Sequence, residues 1–195
     1  KVDKFIFLNS YLAAKLTGKV YVDSTIASYS GLVDIRKPFV WDQNNMEILG
    51  VEEWILPKIV SPFKNCGSLT EEATRQTGLN TNVNVILGSA DTASSSFGLG
   101  VNKQGAVFES LGTSGVFTVC LDRPDFNKAF MNRAHVIPEL WLSHGAMSTT
   151  GAAVDWLIKD IFTEYNDVNE IELSGYESPC GANGVIFLPY LSGER

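Results

Sequence analysis

Two short stretches constrain what this chain can become. Gly88-Ser89-Ala90-Asp91-Thr92-Ala93 places a single carboxylate at the end of an apolar run, where a strand hands over to a helix. Leu111-Gly112-Thr113-Ser114-Gly115 follows as a tight Gly/Thr/Ser turn between two apolar runs. The backbone N–H groups of such a turn can converge on phosphate oxygens. One acid and one phosphate-holding turn, close in sequence, point to phosphoryl transfer. The carboxylate would take the proton of an attacking alcohol, and the turn would hold charge on the transferring group. Each stretch also has a plainer reading. Asp91 before Thr-Ala-Ser suits a helix N-cap, and residues 112–115 suit an ordinary hairpin turn.

Charge decides how a nucleotide could be received. The 195 residues carry a net charge of −7 and no clustered run of Lys and Arg, which argues against a generic nucleic-acid binder. A polyanionic ligand would need a local device instead: a helix N-terminus, a backbone nest or a metal ion. Hydrophobic residues at 45% and charged residues at 19% suit a packed soluble protein of one large or two small domains. Cys66, Cys120 and Cys180 are widely spaced with no C-x-x-C pair, so they read as free thiols of a reducing compartment. No apolar run approaches the ~20 residues of a membrane span, and no cleavage pattern follows Lys1. A cytoplasmic protein without membrane or nucleic-acid partners is expected. The start at Lys1 without Met and the stop after an apolar run suggest an internal portion of a longer polypeptide.

In chain order, residues 4–17 predict an amphipathic helix with Phe5, Leu8, Leu12 and Leu16 on one stripe, stopped by Gly18. Asp23-Ser24-Thr25 offers an N-cap for a short helix through Ala27 to Tyr29. Residues 32–35 alternate like a strand until Pro38, and Asp42 caps a helix over 44–49. Leu56-Pro57 and Ser61-Pro62 punctuate an irregular connection. A helix begins at 69–72 and ends at Gly78. Residues 82–87 form a strand, with 88–91 as its exit and a small-residue helix over 92–99. Residues 105–110 and 116–121 predict a hairpin around the glycine turn, followed by strands at 130–137 and 140–143. Thr149 or Thr150 caps a helix through Ala153, Trp156, Leu157 and Ile161. The acidic stretch 166–180 reads as a surface loop with a short helix, and 185–188 as a last strand. This order suits two α/β pieces joined around 89–103, with Asp91 and the glycine turn brought together at a cleft.

His135 and His144 have no partner at ligand spacing and read as structural. No G-x-S-x-G elbow, H-E-x-x-H or Walker-type loop is present, and no metal ligand is assigned.

Five stretches resemble the FGGY family of carbohydrate kinases. They are Leu16-Thr17-Gly18 with Asp23-Ser24; Gly88-Ser89-Ala90-Asp91 with Gly98-Leu99-Gly100; Ser110 to Gly115; Gly145 to Leu157; and Phe187 to Arg195, which reads F-L-P-Y-L-S-G-E-R. They stand in family order across nearly the whole chain. The resemblance implies a partial actin-like ATPase (ribonuclease H-like) α/β fold, with parts of two lobes around a cleft. Residues 1–101 would end the sugar-binding lobe, and 102–195 would begin the ATP-binding lobe. It implies a sugar kinase using ATP and Mg²⁺, with D-xylulose as acceptor and gluconate, another pentulose or a polyol as alternatives. A non-catalytic actin-like nucleotide-binding module is the alternative of another class. Asp91 would be the catalytic base and, with Thr92, contact the sugar. Gly112, Thr113, Ser114 and Gly151 would bind ATP. Gly193-Glu194-Arg195 would brace the cleft. One departure is Thr92, where many pentulose-directed members carry Asn. The family's first phosphate loop, metal ligands and adenine site fall outside these residues, so this chain by itself is not expected to turn over. A homodimer stays open.

Overall fold

Local signals set most helix ends. The computed structural model describes residues 2–163 and 168–194. Helix α1 (Leu8–Thr17) closes on Gly18, whose φ of +73° is the left-handed cap glycine favours. The chain before it is not helical, so the predicted start at residue 4 is too early. Its predicted apolar stripe is also not the buried face: Leu8 is 75% exposed, whereas Ser10 and Ala13 are buried. Small side chains on that face let α1 approach β1 (Tyr21–Asp23) closely. Asp23 then caps α2 (Ser24–Ala27), as predicted, and the helix ends short of the expected Tyr29. Residues 32–35 form only a bridge between Val33 and Trp41 rather than a strand. Asp42 caps α3 (Gln43–Leu49) through the N–H of Asn45.

The predicted irregular connection contains two strands. β2 (Lys58–Val60) pairs parallel with β1, Tyr21 opposite Lys58 and Asp23 opposite Val60. β3 (Asn65–Ser68) precedes α4 (Glu71–Thr77), which Thr70 caps and Gly78 ends. β3 pairs antiparallel with β4 (Asn84–Ile86), shifting register at Gly67. Helix α5 (Asp91–Gly98) follows the exit from β4. Val22, Ala27, Trp41, Met46 and Ile59 fill one core, and Ala90, Ala93, Cys120, Val136 and Leu142 fill another. Ile26 of α2 packs against both.

β5 (Val107–Leu111), β6 (Gly115–Leu121), β7 (Met131–Ala134) and β8 (Trp141–Met147) form a sheet in the order β5-β6-β8-β7. β7 and β8 are antiparallel, with Met131 opposite His144 and Ala134 opposite Trp141. Helix α6 (Gly151–Trp156) continues into a single π-helical turn, Leu157–Ile161. Trp156 stacks on Phe187 at 6.4 Å between ring centroids. Helix α7 (Val168–Tyr176) takes up most of the described part of the predicted acidic loop. Residues 185–188 are not a strand: Val185 and Ile186 are 74% and 83% exposed, and no described strand pairs with them.

The chain divides into two compact units, Lys1–Phe108 with Val119–His144, and Glu109–Thr118 with Gly145–Arg195. In the first, His135 and His144 are both buried. The N–H of Ile137 donates to His135 Nδ1, so Nε2 carries the proton and donates to the Val101 carbonyl at 2.9 Å. Burial, with the nearby Arg133 charge, lowers the His144 pKa from 6.5 to about 4. A neutral buried imidazole favours folding only while the unfolded chain is neutral too. Stability is therefore full above pH 6.5 and is lost as pH falls toward 4. Denaturant titrations should show about 2 kcal/mol lost between pH 7 and pH 5, with His135, also lowered by burial, adding in the same direction. His144→Gln should flatten that slope; an equal slope in the variant would remove His144 as its source.

Candidate functional site

Asp91 is set by the exit from β4. Gly88 turns with a φ of +81°, and its N–H donates to the Pro62 carbonyl. Ala90 is the N-cap residue of α5, with φ −56° and ψ 146° and no side-chain cap, so Asp91 stands inside the helix rather than capping it. Its Oδ1 accepts the Thr92 N–H at 2.6 Å and the Thr92 hydroxyl at 3.2 Å. Oδ2 has no hydrogen-bond partner among the described residues, and the side chain is exposed. Asp91 lines a cavity of about 410 Å³ with Leu8, Asn9, Leu12, Ile26 and Tyr29. An open carboxylate oxygen in a largely apolar cavity can accept a proton from a bound hydroxyl. Thr92 holds the other oxygen and so fixes the orientation of the carboxylate.

Behind Asp91 stands a network the sequence reading did not find. Asp23 is fully buried and accepts Asn9 Nδ2 at 2.8 Å, the N–H groups of Thr25 and Ile26, and the Thr25 hydroxyl. Its capping role was legible in Asp23-Ser24-Thr25, but its link to the strand exit was not. The Tyr29 ring lies under the Arg133 guanidinium at 4.3 Å, a cation–π contact that fixes one wall of the cavity.

The glycine turn belongs to the second unit. There Gly112, Thr113 and Gly151 are brought together: Gly151 N–H donates to the Gly112 carbonyl at 2.9 Å, and Thr150 and Ala152 both donate to the Thr113 carbonyl. Gly112 N–H closes the turn on the Ser114 carbonyl at 2.9 Å. The N–H groups of Thr113 and Ser114 donate to no backbone carbonyl among the described residues, and both residues are exposed. A methyl group on Gly151 would stand 2.5 Å from the Gly112 carbonyl oxygen, so only glycine fits this contact. The start of α6 is thus seated directly on the turn. The Glu194 carboxylate accepts the N–H and hydroxyl of Ser148 at 2.8 and 2.9 Å, bracing the approach to α6. Arg195, assigned a bracing role from sequence, lies outside the described residues. Cys66 and Cys120 are buried free thiols whose pKa values burial raises, while Cys180 is exposed. Among the described residues no group of three or more His, Cys, Asp or Glu could hold a metal. No helix of the described residues is long and apolar enough to cross a membrane.

Comparison with known proteins matches the profile of the FGGY family of carbohydrate kinases, N-terminal domain, over residues 1–98. The C-terminal domain of the same family matches residues 107–195. The chain belongs to the FGGY family of carbohydrate kinases. It is 29% identical to a xylulose kinase of Staphylococcus xylosus, covering all of this chain and 40% of that protein. The ligand-bound xylulose kinase of Lactobacillus acidophilus superposes with a TM-score of 0.89 at 27% identity, over 99% of this chain and 39% of that one. A gluconate kinase of the same organism superposes with a TM-score of 0.91, also at 27% identity over 99% of this chain and 39% of that one. The chain thus spans about 40% of the length of the curated relatives it matches. Its fold is the corresponding part of the FGGY architecture, the mixed α/β actin-like (ribonuclease H-like) ATPase fold.

Proposed function

We propose that this chain supplies the base and the phosphate-holding turn of an ATP-dependent carbohydrate kinase that converts D-xylulose to D-xylulose 5-phosphate. The observation that carries the reading is Asp91: one oxygen is held by Thr92, the other has no partner among the described residues, and the residue lines the cavity. Residues 1–101 belong to the sugar-binding lobe and 102–195 to the ATP-binding lobe. Asp91 accepts the proton of the sugar hydroxyl as its oxygen attacks the γ-phosphorus, a step worth about 10²–10⁴ in rate. Thr113 and Ser114 direct their free N–H groups, and Gly112 its backbone, at the ATP phosphates, with Gly151 holding the turn in place. Mg²⁺ is the usual source of further positive charge in such reactions. Among the described residues no group of His, Cys, Asp or Glu is placed to hold it. Thr92 contacts the sugar beside the base. The reaction is a cytoplasmic one, with sugar and ATP as the partners.

A second reading, gluconate as acceptor, is favoured by the gluconate kinase likeness and by Thr92 in place of the Asn that many pentulose-directed members carry. ADP release from the complete polypeptide over xylulose, ribulose, gluconate and glycerol separates the two. The highest kcat/KM is expected with xylulose; a clear lead for gluconate would transfer the assignment. ADP release with none of these would favour a nucleotide-binding module without catalysis.

A further inference from the structure

Asp91 is held from behind by the backbone of the residue before it, and that hold comes from a distant helix. The chain reverses from strand to helix at Ala90, and both of its backbone polar groups are committed. Its carbonyl accepts the Ser94 N–H at 2.9 Å inside α5, and its N–H donates to the Thr25 hydroxyl at 2.8 Å. Thr25 and Asp23 are both fully buried. A carboxylate can only accept, so the Thr25 hydroxyl must give its proton to Asp23 and turn its lone pairs toward Ala90. Asp23 therefore fixes the direction of a bond it does not itself make. It also holds Asn9, which lines the Asp91 cavity. Ser28, one turn further, donates to the Thr25 carbonyl at 2.6 Å and accepts the Ala134 N–H, tying α2 to β7.

We infer that Thr25 is a positioning residue for the catalytic base: its hydroxyl, oriented by Asp23, fixes the Ala90 N–H and through it the angle at which Asp91 enters the cavity. This rests on the reading of Asp91 as the base. The chemistry needs an acceptor oxygen at that point, so the hydroxyl rather than the bulk of Thr25 carries the role.

Steady-state kinetics of the complete polypeptide test it. Thr25→Val keeps the shape and removes the hydroxyl. It should lower kcat about 10–100-fold per folded molecule, the scale of a small misplacement of a reacting group, while ATP affinity stays unchanged. Thr25→Ser, which restores the oxygen, should recover most of the loss. A role in stability alone would lower the melting temperature of Thr25→Val and leave kcat per folded molecule at the wild-type value, which overturns the inference. Should Thr25→Val not fold, Thr25→Cys presents a weaker acceptor at the same place and should give an intermediate kcat; wild-type kcat there overturns it equally. Asp91→Asn in the same assay separates the two levels. Wild-type turnover in Asp91→Asn removes the base and the inference with it. An inactive Asp91→Asn beside a fully active Thr25→Val removes the inference alone.

Discussion

Asp91→Asn in the complete polypeptide is expected to lower kcat by about 10²–10⁴ while leaving ATP binding intact. On the proposed reading, the size follows from the one thing the change removes, an acceptor for the sugar proton. Little else should move. Asp91 is exposed, and its only partners among the described residues are the N–H and hydroxyl of Thr92, whose hydrogen bonds an amide oxygen can still accept. No buried charge is left unpaired, so stability should change by less than about 1 kcal/mol. The glycine turn proposed to hold the phosphates belongs to the other compact unit. Single-turnover kinetics beside nucleotide titration give both numbers. A kcat near the wild-type value would remove Asp91 from the chemistry, and a parallel loss of ATP affinity would recast it as structural.

Gly151→Ala is expected to act on the opposite parameter. The added methyl would meet the Gly112 carbonyl oxygen at 2.5 Å, a backbone atom with no rotamer to escape into. Either the turn or the start of α6 must move. The hydrogen bonds from Gly151 to Gly112, and from Thr150 and Ala152 to Thr113, would lengthen together. Overpacking of this kind costs roughly 1–3 kcal/mol. If that displacement falls on the phosphate-holding N–H groups, ATP affinity should drop roughly 5–150-fold, with sugar affinity unchanged. Calorimetric titration of each ligand checks the split. Unaltered ATP affinity would mean that the turn does not hold the phosphates.

What could be read in advance was local. Asp42, Gly18 and Gly78 each act within one helical turn, and the structure uses each as a cap. Pairing between distant segments was not legible. Lys58–Val60 is too short to show alternation between two prolines, and it becomes a strand only because Tyr21–Asp23 lies beside it. Residues 185–188 fail in the reverse way, being apolar and β-branched but without a described strand to pair with. The stripe of α1 misled because small residues, not large ones, face its neighbours. At the candidate site the same division holds. Asp91 and the glycine turn announce themselves by residue type, whereas the Asp23, Thr25 and Ala90 chain joins atoms that no periodicity links.

The bond between Thr25 and Ala90 also bears on the order of folding. It joins residues 65 apart, and closing a loop of that length costs about 4 kcal/mol of chain entropy. One hydrogen bond returns only about 1 kcal/mol, so it cannot close the loop by itself. The closure comes from apolar packing, that of Tyr21 against the cluster that contains Leu87 and that of Ile26 against the cluster that contains Ala90 and Ala93. Helix α5 can grow early from local bonds, but the carboxylate at its start takes its final direction only when that cluster condenses.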